Sequence, residues 1–325
     1  MELWLILTLV AAVAASVSKF LDNYITDEFF KGKTAQAVRC IYGPIYLVTA
    51  PLLICGCLIS LKSFPVPATS MILIALSAFL EFVAGIPYYK ALKTENTTSA
   101  VIFSQLSPIF YLILSFLVFG EQITIVQLVA FFIILSAPAL IIFLSKKRNK
   151  NMELRTAFLF VSYVFLNTVS GILYVLATKG AKAEGDSLGA VGLLVYALHM
   201  LVWGILGTSS YFFVKKWRKR CRQVLKESKR KIFLPILVNE GVWFVANFSF
   251  KYAQSSGQVA LVSVVNITTE LVATFVLGIL LTIIWPKFGR EKLDRRTIVS
   301  HLIAVILATI GIILLEKPDI FLINL

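Results

Sequence analysis

Four ionisable side chains lie near the middles of long apolar stretches of this sequence. They are Glu81, Glu240, Glu270 and His199. An ionised carboxylate at the centre of a membrane costs about 3 kcal/mol on insertion scales, and a protonated carboxyl costs much less. A carboxyl group in such a place can therefore carry a proton, or pair with a cationic group of a substrate. His199 can share the proton, because histidine changes its charge most readily near neutral pH.

Polar and aromatic residues recur at steps of three and four around these groups, and this spacing places them on one face of a helix. One such stripe holds Ser263, Asn266, Glu270 and Thr274. We predict that several stripes line one substrate cavity. The predicted cavity residues are Glu81, Tyr88, Gln105, Tyr111, Tyr163, Asn167, His199, Trp203, Glu240, Trp243, Asn247, Asn266 and Glu270. The candidates for proton coupling are Glu270, Glu240 and Glu81.

A structural role is the alternative for many of these residues. Asn, Ser and Thr often join membrane helices through hydrogen bonds, each worth about 1 kcal/mol. Glu240 could form a buried pair with His199 or with Lys251. Lys19, Lys90 and Lys251 lie near the ends of apolar stretches, and we expect their side chains to reach the membrane surface as anchors.

The apolar stretches are long enough to form membrane helices. The chain is 58% hydrophobic and only 15% charged, whereas soluble domains carry about 25% charged residues. A helix needs about 20 mostly apolar residues to cross the hydrocarbon layer, and continuous apolar runs favour helices over a barrel. We therefore predict an all-α polytopic membrane protein with ten transmembrane helices. The predicted spans are residues 3–20, 37–59, 68–92, 97–119, 123–144, 157–177, 188–214, 232–252, 256–282 and 297–315.

The order of spans and signature residues recurs in two halves of the chain. The recurring pairs include Ser18-Lys19 with Thr178-Lys179, and Thr124-Ile125-Val126 with Thr297-Ile298-Val299. We predict two five-helix repeats, residues 1–150 and 151–325. An odd number of spans inverts the second repeat relative to the first. This architecture is typical of secondary transporters, whose substrate site lies between the halves near the bilayer midplane.

Positive charge is unevenly distributed between the two sets of loops. The net charge is +14, with 31 Lys and Arg residues. Five of them lie on one predicted side, and all the others lie on the opposite side. The five are Lys62, Lys179, Lys182, Lys251 and Lys317. Because positive loops stay in the cytoplasm, we expect both termini to lie outside a plasma or inner membrane.

The basic run at residues 215–231 is then cytoplasmic. Two interpretations fit this run, a nucleic-acid site and an anchor beside anionic headgroups. The anchor explains the run as a juxtamembrane segment of a membrane protein, so we expect no nucleic-acid partner.

Four short motifs of the first half match a known family pattern. They are Tyr88-Tyr89-Lys90-Ala91-Leu92, Ser99-Ala100, Leu106-Ser107-Pro108-Ile109-Phe110 and Phe119-Gly120-Glu121-Gln122-Ile123-Thr124. In these motifs the chain resembles the EamA-like branch of the drug/metabolite transporter superfamily. The resemblance covers essentially the whole chain and implies ten helices in a five-plus-five arrangement. It also implies transport, and it leaves the cargo open.

The second half departs from that pattern. Thr269-Glu270 stands where the first half has Pro108-Ile109, and no Gly-Glu turn precedes Thr297. In the first half, Glu121 lies at a turn by the membrane surface, where we expect it to cap or pin helix ends rather than contact substrate.

Together these features favour a secondary active transporter of a small organic metabolite that is amino-acid-, nucleoside- or drug-like. We expect an exporter or exchanger that works by alternating access, with the proton as a candidate coupling ion. The alternative within transport is a lipid or lipid-linked-sugar flippase, whose basic loops would hold phosphate headgroups. The alternative from another class is an intramembrane enzyme, which we do not expect. The only histidines are His199 and His301, and neither Asp-Asp-x-x-Asp nor His-Glu-x-x-His occurs.

No cofactor and no metal site are predicted. The sequence lacks a phosphate-binding Walker A motif, and its four cysteines fit neither a disulfide framework nor a zinc site. The expected partners are a small-molecule substrate and the lipid bilayer. Two fused repeats suffice to build a transport path, so we expect a monomer, and a dimer is not required. The sequence does not specify the substrate, the direction of transport or the coupling ion.

Overall fold

Helices form at most of the predicted apolar stretches. The structure is a computed structural model that describes residues 2–30, 35–62, 64–91, 104, 106–122, 124–145, 154–181, 188–284 and several positions between 299 and 314. A π-helical turn (Thr26–Phe30) follows the first helix, and 3₁₀ turns (Ala35–Val38 and Lys229–Ile232) precede the second and ninth. The α-helices are α1 (Leu3–Ile25), α2 (Arg39–Leu61), α3 (Ala68–Ala91), α4 (Ser107–Phe119), α5 (Ile125–Ser145), α6 (Leu154–Gly180), α7 (Leu188–Phe213), α8 (Lys215–Ser228), α9 (Phe233–Ser256) and α10 (Val259–Ile284).

Seven of these helices are long and apolar enough to cross a membrane, so the chain is a multi-pass membrane protein. They are α1, α2, α3, α6, α7, α9 and α10, at the first three and the sixth to ninth predicted spans. Helix α5 lies at the fifth predicted span, and α4 covers the later part of the fourth. The start of the fourth span (97–103) and most of the tenth (297–315) lie outside the described residues. The count of ten helices and the inverted repeats stay predictions.

The chain divides into two compact units, and each unit takes segments from both sides of residue 150. The first unit comprises Met1–Phe20, Thr97–Ala157 and Val245–Leu325. The second comprises Leu21–Asn96 and Phe158–Phe244. The predicted repeats, residues 1–150 and 151–325, are defined by similar sequence, whereas the compact units are defined by contacts in space. The two divisions therefore differ, and the repeats also stay a prediction.

In the first unit, α10 packs against α4 and α5. The apolar core of this unit includes Leu5, Phe131 and Leu261. Gly120 caps the C-terminal end of helix α4 with a left-handed φ of 65°, which glycine adopts without steric cost. This turn positions Glu121, whose Oε1 accepts a hydrogen bond of 3.0 Å from the backbone N–H of Val259 at the start of α10. The expectation that Glu121 pins a helix end is thereby confirmed.

In the second unit, α2 and α7 pack backbone to backbone through glycines. A Cβ added at Gly43 would lie 2.5 Å from the backbone nitrogen of Thr208, and one at Gly207 would lie 2.9 Å from the Gly43 Cα. Gly204 is equally close to the Tyr46 segment of α2, with a Cβ placed 3.0 Å from that of Tyr46. Small residues let membrane helices approach until van der Waals contact holds them together. This contact fixes which side chains of α2 and α7 meet.

Helix α8 forms from residues that were predicted only as a basic loop. Trp217, Cys221 and Val224 are its buried residues, and their spacing of four and three places them on one face of the helix. They pack in a core cluster with residues that include Ile25 and Phe30. The apolar residues inside the basic run therefore dock it against the rest of the second unit.

We predict that Gly43→Ala destabilises the protein by about 1–3 kcal/mol, because the added methyl group must push α2 and α7 apart. The matched control is Gly56→Ala in the same helix, where an added Cβ meets nothing within 4 Å. The control should be neutral or stabilising by about 0.5–1 kcal/mol, the helix-propensity difference. Thermal unfolding of the purified protein in detergent measures both changes. Equal stability of the two variants would contradict the close approach of the helices.

Candidate functional site

A buried ion pair joins α1 to α10 in the first unit. The Lys19 Nζ contacts Oε1 of Glu270, and the two side chains are 22% and 10% exposed. Ser16, one turn before Lys19, donates a hydrogen bond of 3.0 Å to the backbone carbonyl of Glu270. Thr274, one turn after Glu270, donates to the Ser16 hydroxyl at 3.1 Å. Glu270 thus has a cation at its carboxylate and a serine hydroxyl at its backbone carbonyl.

This pair corrects the expectation for Lys19, which was predicted to anchor at the membrane surface. Lys19 instead meets Glu270 near the middle of α10, because a charge taken out of water needs an opposite charge nearby. Lys251 also departs from the expectation, since only 4% of it is exposed. Lys90 is exposed, as an anchor should be.

Further polar groups of the first unit are buried without a hydrogen-bond partner among the described residues. They include the Ser263 hydroxyl, the Asn266 carbonyl oxygen and both amide atoms of Gln254. Ser263 and Asn266 belong to the predicted stripe of α10. Buried polar atoms normally have a partner, since leaving one unpaired costs free energy. These atoms are therefore candidates for hydrogen bonds to a group outside the described residues.

A second pair of ionisable groups joins α3 to α7 in the second unit. Nε2 of His199 lies 3.4 Å from Oε2 of Glu81. His199 is only 2% exposed, and the ring of Tyr174 meets it edge to face at a centroid distance of 5.7 Å. When His199 is protonated, its N–H can donate to the carboxylate, so the pair can hold one proton between two bases.

Glu240 has a different partner from those considered from the sequence. It is 7% exposed, and the hydroxyl of Tyr46 on α2 hydrogen bonds to its carboxyl group. His199 pairs with Glu81 instead of Glu240. Lys251 belongs to the other unit.

Arg39 is a functional candidate that the sequence interpretation missed, because it was counted with the loop charges. Only 3% of it is exposed, and its guanidinium donates to the backbone carbonyl of Phe82. The guanidinium carbon lies 4.7 Å from the ring centroid of Phe82, 5.4 Å from that of Tyr89 and 5.9 Å from that of Trp203. Gly85 leaves the space that the guanidinium fills. Arg39 is thus a buried cation surrounded by the faces of aromatic rings.

Asp22 is a second residue that the sequence interpretation missed. Its Oδ1 accepts hydrogen bonds from the Tyr42 hydroxyl at 3.1 Å and from the Asn239 side-chain amide at 2.9 Å. The sequence could have indicated Arg39, because Arg39, Tyr42 and Tyr46 follow one another at steps of three and four and so form a polar stripe on α2.

The sequence did not indicate Asp22 in this way. Asp22 lies beyond the predicted first span, and the structure places it in a helix only because α1 extends to Ile25.

The predicted cavity residues are divided between the two units. Those of the second unit are Glu81, Tyr88, Tyr163, Asn167, His199, Trp203, Glu240 and Trp243, and those of the first are Tyr111, Asn247, Asn266 and Glu270. Gln105 lies outside the described residues. A single cavity lined by all of them stays a prediction.

Aromatic contacts involve several members of this set. In the second unit, the rings of Tyr88 and Tyr163 lie 4.8 Å apart, and Trp203 meets Tyr46 at 5.1 Å. In the first unit, Tyr111 lies 6.4 Å from Phe250. The remaining predicted residues Asn167, Trp243 and Asn247 are half-buried. Within the described part of the chain, no group of three or more His, Cys, Asp or Glu side chains could hold a metal ion.

Comparison with known proteins identifies the first half. Residues 2–143 match the EamA-like transporter family. The first half of the chain is therefore similar to that family. EamA-like proteins form part of the drug/metabolite transporter superfamily and are generally transporters of small molecules. The resemblance noted in the motifs of residues 88–124 is confirmed.

Solved structures support the same fold. One, described only as "Crystal structure of protein", superimposes with a TM-score of 0.64. The match covers 96% of this chain and 98% of the other, at 12% identity. At this level of identity the likeness concerns the fold alone. No curated protein matches this chain.

We predict that the Glu81–His199 pair is energetically coupled. Glu81→Gln and His199→Gln should each destabilise the protein, and the double variant should lose less than the sum of the two by about 1 kcal/mol or more. A double-mutant cycle of thermal unfolding in detergent measures this coupling. The control cycle pairs Glu81→Gln with Gly56→Ala, whose added methyl group contacts nothing. Additive losses in the Glu81–His199 cycle would show that the two groups do not interact.

Proposed function

We propose that this EamA-like protein is a proton-coupled secondary active transporter of a small organic metabolite, working as an exporter or exchanger by alternating access. The observation that carries the proposal is the buried pair of Lys19 and Glu270. Ionisable groups at membrane depth are costly, and they commonly mark substrate pathways and proton relays in transporters. Glu121 is not a candidate for this role, because its carboxylate caps the start of α10.

The pair supplies a simple means of coupling. While Glu270 is ionised, it neutralises Lys19 and the two charges hold each other. When a proton binds to the Glu270 carboxylate, the negative charge disappears and the Lys19 ammonium becomes available to an anionic group. A substrate carboxylate and a proton then bind together, and each increases the affinity for the other. Loss of the proton restores the ion pair and releases the substrate. Proton and substrate therefore cross the membrane together, and net export occurs when the outward substrate gradient exceeds the inward proton gradient.

The neighbouring unpaired polar groups support a polar substrate. Ser263, Asn266 and Gln254 present a hydroxyl, a carbonyl oxygen and an amide in the same unit as the ion pair. An amino-acid-like compound would place its carboxylate on Lys19 and its other polar atoms on these groups. The apolar length of α10 around them would exclude strongly charged solutes.

The other parts of this proposal follow from the sequence. The protein acts as a monomer in the cell membrane with both termini outside. Its partners are the small-molecule substrate and the bilayer, and it binds neither nucleic acid nor a cofactor.

The test is Glu270→Gln, which is nearly isosteric and imitates the protonated acid. In proteoliposomes screened against a panel of amino-acid-like and nucleoside-like compounds, we expect wild-type uptake to respond to a pH gradient. The variant should lose gradient-driven uptake, because Gln cannot bind or release a proton. It should keep exchange of internal for external substrate, because exchange needs no release of a proton from residue 270. Lys19→Gln is the partner control, and it should weaken substrate binding as well as transport.

Two results would contradict the proposal. If Glu270→Gln behaves as wild type in gradient-driven uptake and in exchange, Glu270 does not couple protons. If both variants lose thermal stability together while the ratio of gradient-driven uptake to exchange stays unchanged, the ion pair only holds α1 and α10 together. A fluorescent-lipid translocation assay in the same proteoliposomes tests the flippase alternative, which predicts lipid movement and no small-molecule exchange.

A further inference from the structure

Helix α8 has one apolar face and one basic face, and the apolar face is already occupied. Trp217, Cys221 and Val224 are buried in the core of the second unit. Lys215, Lys219, Arg222 and Lys226 follow at steps of four, three and four and are all exposed. On a helix with 3.6 residues per turn, this row lies on the side opposite the buried residues. The basic face therefore points away from the core that holds the helix.

Each end of α8 adjoins an exposed apolar residue of a helix that is long enough to cross a membrane. Phe213, the last residue of α7, is an exposed apolar side chain at 84%, and Lys215 begins α8 only two positions later. Beyond α8, Lys231 is exposed and is followed within three residues by Leu234, which is 71% exposed. Exposed apolar residues at the ends of spanning helices face lipid, so basic residues next to them lie in the headgroup layer.

Because both ends adjoin lipid-facing residues, we expect α8 to lie along the membrane surface. Its 14 residues extend about 21 Å, and electrostatic attraction at physiological ionic strength acts over about 8 Å. The basic face is therefore close enough to attract charged headgroups along its length.

The arginines and lysines of α8 have different roles. Arg220 donates a hydrogen bond of 2.6 Å to the backbone carbonyl of Phe30, and Arg222 donates one of 2.7 Å to the Tyr211 hydroxyl. These bonds tie the helix to neighbouring segments of the second unit. Within the described part of the chain, Lys215, Lys219 and Lys226 take part in no ion pair. Their charges are available to a partner outside the chain.

We propose that Lys215, Lys219 and Lys226 of α8 form a binding site for anionic phospholipid headgroups at the membrane surface. The core contacts and arginine hydrogen bonds hold the helix in place, and the lysine row binds the phosphate groups of adjacent lipids. Charge complementarity and the position between two lipid-facing apolar segments select this partner. A soluble acidic partner would need no such neighbouring apolar band.

The test measures stabilisation by lipid of the full-length protein in detergent. Added phosphatidylglycerol should raise the thermal unfolding temperature of the wild type, because a ligand of the folded state stabilises it. Phosphatidylcholine should raise it much less. High salt should remove most of the difference, because it screens exposed charges. Soluble glycerol phosphate is the probe for a free-phosphate site, and it should not reproduce the effect.

The decisive variant is Lys215→Gln/Lys219→Gln/Lys226→Gln, which should lose most of the phosphatidylglycerol shift. The matched control, Lys62→Gln/Lys90→Gln/Lys179→Gln, removes three exposed lysines at the ends of α2, α3 and α6 and should keep the shift. The proposal is overturned if the α8 variant keeps the full shift. It is also overturned if the two phospholipids act alike on the wild type, or if glycerol phosphate gives the same shift.

Cys221 reports whether α8 stays docked in the triple variant. Burial raises the pKa of the Cys221 thiol to about 12, so a docked α8 should leave it unreactive toward maleimide at neutral pH. The assay uses a background in which Cys40, Cys55 and Cys57 are replaced by alanine. If Cys221 becomes reactive in the triple variant, α8 has come away from the core, and the single variant Lys219→Gln is used in its place to test the proposal. That single variant must lose part of the lipid shift with Cys221 still unreactive, and an unchanged shift overturns the proposal.

Discussion

A charge inside a membrane has no bulk water to solvate it, and this constraint organises the polar interior of the protein. Lys19 meets Glu270, His199 meets Glu81, and Arg39 is held by a backbone carbonyl and aromatic faces. Burying a charge without a partner costs several kcal/mol. Each charged group has therefore acquired a specific neighbour on another helix, and any movement that separates the two must supply a replacement. A proton or a substrate can supply one, and the coupling proposed for Lys19 and Glu270 uses this property.

Close helix packing determines which partners meet. Gly43, Gly204 and Gly207 bring α2 and α7 into backbone contact. That contact places Tyr46 of α2 beside Trp203 of α7, and Arg39 of α2 near the same ring. In the first unit, the Gly120 turn lets Glu121 fix the start of α10, the helix that carries Glu270. Glycines, which carry no functional side chain, thus set the geometry of the charged and aromatic residues.

Much of the fold could be predicted from the sequence, because a local run of apolar residues is sufficient to indicate a membrane span. Glu121 could also be predicted, since a Gly-Glu turn is a local feature. The partner of a buried charge is a property of tertiary packing, and there the prediction failed. Lys19 looked like a surface anchor because it lies near the end of an apolar run. Arg39 was counted with the loop charges, although it lies just inside the predicted span at residues 37–59. Helix α8 was read as a loop because its three buried residues are outnumbered by basic ones.

The most direct test of the central claim is a measurement of proton movement itself. Proteoliposomes would carry a pH-sensitive dye inside and a transported compound outside, with no pH gradient imposed. The account predicts that the substrate gradient moves protons across the membrane with the wild-type protein, and that it does not with Glu270→Gln. Net substrate uptake by the wild-type protein without any change of internal pH would contradict it.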